Sequence, residues 1–187
     1  MCRGFPDVFR RRFPPWTEIV SVFSFVSLLV YGRMFFVFAQ KLPSWLMYLS
    51  LGRIASILSY ALAGALFESL GYALLLALAC ALLPARWFRN EFIARSLWGF
   101  TTWMASLNLF FNRLSANGLE SGLQELDLLP AWLAVTTLLV LAAFVFARAG
   151  LLKRVALWFA DRSLVFLYIF LPASLLGLLA VAVRNIV

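Results

Sequence analysis

Apolar runs long enough to cross a bilayer alternate with short polar stretches along the chain. The first run extends from about Thr17 to Ala39. At a rise of about 1.5 Å per residue it reaches roughly 35 Å, against a hydrocarbon core of about 30 Å. Trp16 reads as an interfacial anchor before it and Thr17 as its N-cap. Gln40, Lys41 and Pro43 close it. The piece from Trp45 to Leu51 is too short to span and reads as an interfacial segment or an early turn of the next helix. The second run, Ile54 to Leu83, is interrupted only by Glu68. Split into two crossings, each arm would fall below the roughly 17–25 residues a spanning helix needs, so one long, tilted or bent helix is predicted. Further runs cover about Phe92–Phe111, Leu128–Phe146 and Ser163–Val183. Between the last two, Leu151 to Ala160 reads as a short amphipathic helix on the membrane surface. The pattern predicts an all-α, polytopic transmembrane helical bundle of about five spans, forming a single integral membrane domain over residues 1–187.

Composition sharpens the choice of solvent. Of 187 residues 64% are apolar and 13% charged, where soluble domains average about 25% charged. One domain of this length cannot hide that much apolar surface from water, so lipid surrounds most of it. The net charge of +8 would suggest nucleic acid in a soluble domain. Here the basic residues fall in short segments between apolar runs, so no nucleic-acid partner is expected. With the N-terminus cytoplasmic, Arg3, Arg10, Arg11, Arg12, Arg86, Arg89, Arg95, Arg148, Lys153, Arg154 and Arg162 all lie inside. Lys41, Arg53, Arg113 and Arg184 fall outside, with Arg33 near them. That asymmetry favours five spans with the basic tail over residues 1–15 inside and the C-terminus outside. The inside loops, with Trp87, Trp98 and Trp158 nearby, could also attract anionic lipid.

The chemistry the chain can perform is narrow. It has no histidine, which removes the commonest general base and His-ligated metal and haem sites. Its two cysteines, Cys2 and Cys80, form no CxxC pair, and Cys80 reads as a small buried hydrophobe. No phosphate loop, dinucleotide fingerprint, paired-carboxylate motif or metal-ligand cluster is present, so no cofactor, metal or catalytic residue is expected. Glu120, Glu125 and Asp127 cluster in a polar segment without partners.

Glu68 is the most informative position, because it sits near the middle of an apolar run. A charged carboxylate there costs about 2.5–3.5 kcal/mol on insertion scales. It reads as an ion or proton site, a contact to a partner subunit, a neutral carboxyl bonded to Ser or Tyr within the bundle, or one that reaches water at a bend near Ser69 and Gly71. Arg33 is its natural counter-ion, though it can snorkel to the outer headgroups instead. Ser21, Ser24 and Ser27 form a polar ridge on the first span, and Ser56, Ser59, Ala63 and Gly64 a small-residue face on the second. Such faces let membrane helices pack closely. Thr101, Thr102, Ser106 and Asn108 read the same way, while Asn108 and Asn112, four apart, could bind a headgroup or cap the helix.

The stretches from Leu167 to Ile186 and from Leu83 to Arg95 resemble the last helix and an inter-helix loop of small, uncharacterised bacterial multi-pass membrane proteins. The hydrophobic layout is also similar to the five-helix membrane domains of sulfatases and phosphoglycerol transferases, without their soluble catalytic domain. The resemblance implies a compact helical module of the bacterial cytoplasmic membrane and carries over no catalytic residue. Three functions are open. The chain could be a non-enzymatic accessory, assembly or scaffold subunit binding other membrane proteins or itself. It could be a small transporter or channel built on Glu68, or a lipid-modifying enzyme at the membrane face.

Overall fold

The computed structural model describes residues 14–82, 91–116 and 129–186. Five helices hold nearly all of them: α1 (Trp16–Tyr48), α2 (Leu51–Leu82), α3 (Phe92–Ala116), α4 (Leu129–Phe146) and α5 (Gly150–Ile186). No strand occurs among the described residues. Four helices, α1, α2, α4 and α5, are long and apolar enough to cross a membrane. α3 is not one of these four: its 25 residues suffice in length, but Arg95, Asn108, Asn112 and Arg113 interrupt its apolar sequence.

The buried core is mostly apolar, with Val22, Phe25, Val26, Val30, Phe92 and Phe100 among it, but the exterior is far more apolar than that of a water-soluble bundle. The polar side chains that are buried are mostly hydroxyls: Ser24, Ser27, Ser69, Ser96, Thr136, Ser163 and Ser174. Many large apolar side chains are exposed. α4 shows this most clearly, since its one buried residue is Thr136 while Leu138 and Val145 are 66% and 65% exposed. Lipid accepts apolar surface freely and offers a hydroxyl no partner, so hydroxyls turn inward. The described residues are therefore helical, with an apolar exterior of the kind that lipid accepts.

The chain forms two compact units. The first joins α1 and α2 to α5 from Trp158 onward; the second holds α3, α4 and the opening turns of α5. In the first unit Phe25 packs edge-on against Phe159, and Tyr31 stacks on Phe170 with ring centroids 4.7 Å apart. Partner numbers rise together along both helices, so α1 and α5 run parallel. α2 packs against α1 and meets α5 at Gly177. A Cβ built there would lie 3.1 Å from the Ser59 carbonyl oxygen and 3.2 Å from Leu62 Cβ. In the second unit Gly99 faces the Phe144 ring, Ser106 Oγ meets Thr136 Oγ1 at 2.6 Å, and Phe110 stacks on Trp132 at 4.6 Å. These partners descend as their counterparts rise, so α3 and α4 are antiparallel.

Several boundaries differ from the sequence expectation: α2 opens at Leu51 rather than Ile54, and α3 runs to Ala116 rather than Phe111. α1 does not stop at Ala39 but runs through Pro43 to Tyr48, so Trp45–Tyr48 is its last turn; Leu49 and Ser50 link it to α2, which Leu51 opens. A proline costs one backbone hydrogen bond, and Phe38 packed edge-on against Trp45 at 5.4 Å braces the helix across it. Thr17 does not cap α1. Pro15 occupies the N-cap position with no side-chain cap, and the Thr17 carbonyl accepts from Ser21 Oγ at 3.0 Å. Residues 151–160 are not a separate surface helix, because α5 is continuous from Gly150 to Ile186. Nothing between Ala160 and Ser163 breaks a helix, and Ser163 Oγ donates to the Ala160 carbonyl at 2.8 Å.

Candidate functional site

Glu68 lies near the middle of α2, roughly 26 Å from its Leu51 end and 21 Å from its Leu82 end at the α-helical rise. Its side chain is exposed, so it does not sit inside the bundle bonded to a serine or tyrosine. Among the described residues no hydrogen bond or ion pair reaches it. The large side chains exposed around it, Phe67, Leu70, Leu74 and Leu75, are apolar. Gly64 and Gly71, one turn away on either side, are exposed with nothing within 4 Å of where a Cβ would stand. Phe67 and Leu75 flank the stripe, 63% and 62% exposed. The face therefore presents one carboxyl between two glycines, with bulky apolar groups as its rim.

Arg33 is half-buried on α1 and makes no ion pair with Glu68. Ser56 and Ser59 turn back on their own helix, donating to the carbonyls of Gly52 and Ala55 at 2.9 and 3.0 Å. Their face of α2 meets α5 at Gly177, whereas Gly64 lies outside that contact. Ser24 and Ser27 are buried without a hydrogen-bond partner, while the next polar group on that face, Tyr31, hydrogen-bonds Ser174 of α5. In the second unit Ser106 bonds across helices to Thr136, but Thr101 and Thr102 bond to their own helix. Asn108 is half-buried and Asn112 exposed. Neither caps α3, which continues to Ala116.

Arg95 departs from its expected place in a solvated basic loop. It lies in the first turn of α3, 5% exposed, with Nη2 3.4 Å from Glu91 Oε2. Lys153 Nζ approaches the other carboxylate oxygen of Glu91 at 3.8 Å, and Trp98 Nε1 donates to the Leu152 carbonyl at 3.1 Å. These contacts tie α3 to the opening of α5. Trp158 receives Arg162 over its ring at 4.9 Å. Cys80 is buried on α2. Cys2, Arg86, Trp87, Arg89, Glu120, Glu125 and Asp127 fall outside the described residues.

Sequence reasoning missed Gly177, Ser174, Tyr31 and Thr136 as contact residues. A signal existed for the first two: Ala173, Ser174, Gly177 and Ala180 place small side chains at helical spacing, the pattern of close membrane-helix packing. Among the described residues no group of three or more acidic or cysteine side chains converges as a metal site requires. Compared with known families, curated proteins and solved structures, the chain matches none.

Proposed function

We propose that this protein is a non-enzymatic subunit of a membrane assembly, docking through the face of α2 centred on Glu68. The observation that carries the reading is that exposed carboxyl, mid-helix, between two glycines with open space above them. Left against lipid, it costs about 2.5–3.5 kcal/mol if charged. Covered by a partner helix bearing a basic or amide side chain at the same depth, it gains a hydrogen bond, and the glycines let the backbones approach. A transport role receives less support, because Arg33 makes no ion pair with Glu68 among the described residues.

The same proposal includes five crossings with the N-terminus cytoplasmic, in a bacterial cytoplasmic membrane as the sequence resemblance implies. Parallel α1 and α5 support that count. α2 returns antiparallel, so an even number of crossings must separate it from α5. α4 supplies one, and its antiparallel partner α3 supplies the other. The excess of basic residues on one side sets the orientation.

The test is purification from native membranes in mild detergent, with mass spectrometry of what accompanies the chain. A stoichiometric membrane partner is expected, retained by Glu68→Asp and lost from Glu68→Leu. A wild-type chain that purifies alone, or a partner indifferent to Glu68→Leu, refutes the reading; flux in proteoliposomes that depends on Glu68 would replace it with transport.

A further inference from the structure

Between α3 and α4 lies an open cleft of about 410 Å³, within the ~300–1,000 Å³ range of small-molecule sites. Its walls are apolar: Leu109 and Phe110 from α3, and Trp132, Val135 and Leu139 from α4. Ser106 also lines it, but its hydroxyl is engaged with Thr136. That leaves Arg113 as the one charged group of the lining. Arg113 is exposed, lies in the last turn of α3, and makes no ion pair among the described residues.

The cleft has a polarity along its length. Ala131 and Trp132 belong to the first turn of α4, whose 18 residues are long and apolar enough to cross a membrane. The Arg113 end therefore sits at the headgroup level, whether or not α3 itself spans. Leu139 is about 10 Å further along α4 from Trp132, well inside the hydrocarbon. Trp132 stacks on Phe110 at 4.6 Å, giving the wall a rigid aromatic surface, and an interfacial tryptophan is at home at that depth. A cation at the mouth and a purely apolar slot below it match a molecule with an anionic head and a hydrocarbon tail.

We propose that this cleft is a binding site for one acyl chain of an anionic phospholipid, whose phosphate is held by Arg113. The lipid enters sideways from the leaflet at the N-terminal end of α4. Arg113 serves here as a headgroup ligand, and the guanidinium pairs the phosphate in a fork that a lysine reproduces only as a point charge.

The test uses tryptophan fluorescence of the full chain in phosphatidylcholine vesicles holding a minority of phosphatidylglycerol. Bromine is placed on the acyl chains of one lipid or the other, and the Trp132→Phe signal is subtracted to isolate Trp132. Per molecule, brominated phosphatidylglycerol should quench about fivefold more strongly than brominated phosphatidylcholine, the worth of one basic side chain beside an anionic lipid. Arg113→Gln should bring the ratio to about one, and Arg113→Lys should keep part of it. Equal quenching by both lipids in the wild type, or a preference that survives Arg113→Gln, overturns the proposal. Both substitutions fall on an exposed side chain, and far-UV circular dichroism checks that the helices persist.

Discussion

Replacing Gly177 with leucine tests how tightly α2 and α5 approach. The site has no room for a side chain. A Cβ alone would stand 3.1 Å from the Ser59 carbonyl oxygen and 3.2 Å from Leu62 Cβ. Neither neighbour is the end of a flexible side chain: one is backbone and the other is fixed to it, so α2 must shift as a body. Overpacking costs about 1–3 kcal/mol, and this geometry belongs at the upper end. Replacing glycine inside a helix returns about 1 kcal/mol. The expected loss is therefore about 2 kcal/mol, roughly a thirty-fold change in the folding equilibrium. Gly71→Leu is the matched control, since nothing lies within 4 Å of its position; it should keep or slightly raise stability. The assay is reversible unfolding of the purified chain in mixed micelles, followed by energy transfer between labels on α2 and α5. Gly177→Leu indistinguishable from wild type, or Gly71→Leu equally damaging, would falsify the close contact.

Two further outcomes follow from the second unit and from the crossing count. Glu91→Gln strands the buried Arg95, whose side chain is 6% exposed against 19% for Glu91. A fully buried pair costs about 3–5 kcal/mol to break; this partly exposed one should cost about 2 kcal/mol in the same unfolding assay, with part recovered when Arg95→Met is added. If Arg95→Met instead adds its own full cost, the pair is not the source of the loss. A cysteine at Gly118, in an otherwise cysteine-free background, should react with an impermeant maleimide from outside the cell and not from the cytoplasm. Cytoplasmic labelling alone contradicts five crossings with the N-terminus inside.

The apolar runs of α1, α2 and α4 were legible because lipid imposes one constraint on every position of a span. Glu68 stood out for the same reason, as an exception to that constraint. The extents of α1 and α5 were not legible. Pro43 and the Asp161-Arg162 pair look like breaks in hydropathy, yet a helix tolerates one missing hydrogen bond and a charged turn outside the hydrocarbon. The direction in which Glu68 faces was also out of reach, since sequence gives depth along a helix and not which neighbour covers it. Pairings such as Tyr31 with Ser174 or Ser106 with Thr136 depend on rotation and register between helices far apart in sequence. Arg95 misled for a related reason: a basic residue at a helix start reads as a topology signal until Glu91 and Lys153 are found beside it.

The first unit is assembled from both sides of the second: α1 and α2 precede it, and the main part of α5 follows. During synthesis at about 5–20 residues per second, α1 and α2 leave the ribosome several seconds before α5 does. In that interval the nascent hairpin exposes Phe25 and Tyr31 of α1, which α5 later meets at Phe159, Phe170 and Ser174. The Tyr31 hydroxyl, interior in the finished protein, then waits for its Ser174 partner. Biogenesis thus has a vulnerable window that equilibrium stability does not register. Slowing translation through the codons of α3 and α4 would lengthen that window, and speeding it would shorten it, with the finished fold unchanged.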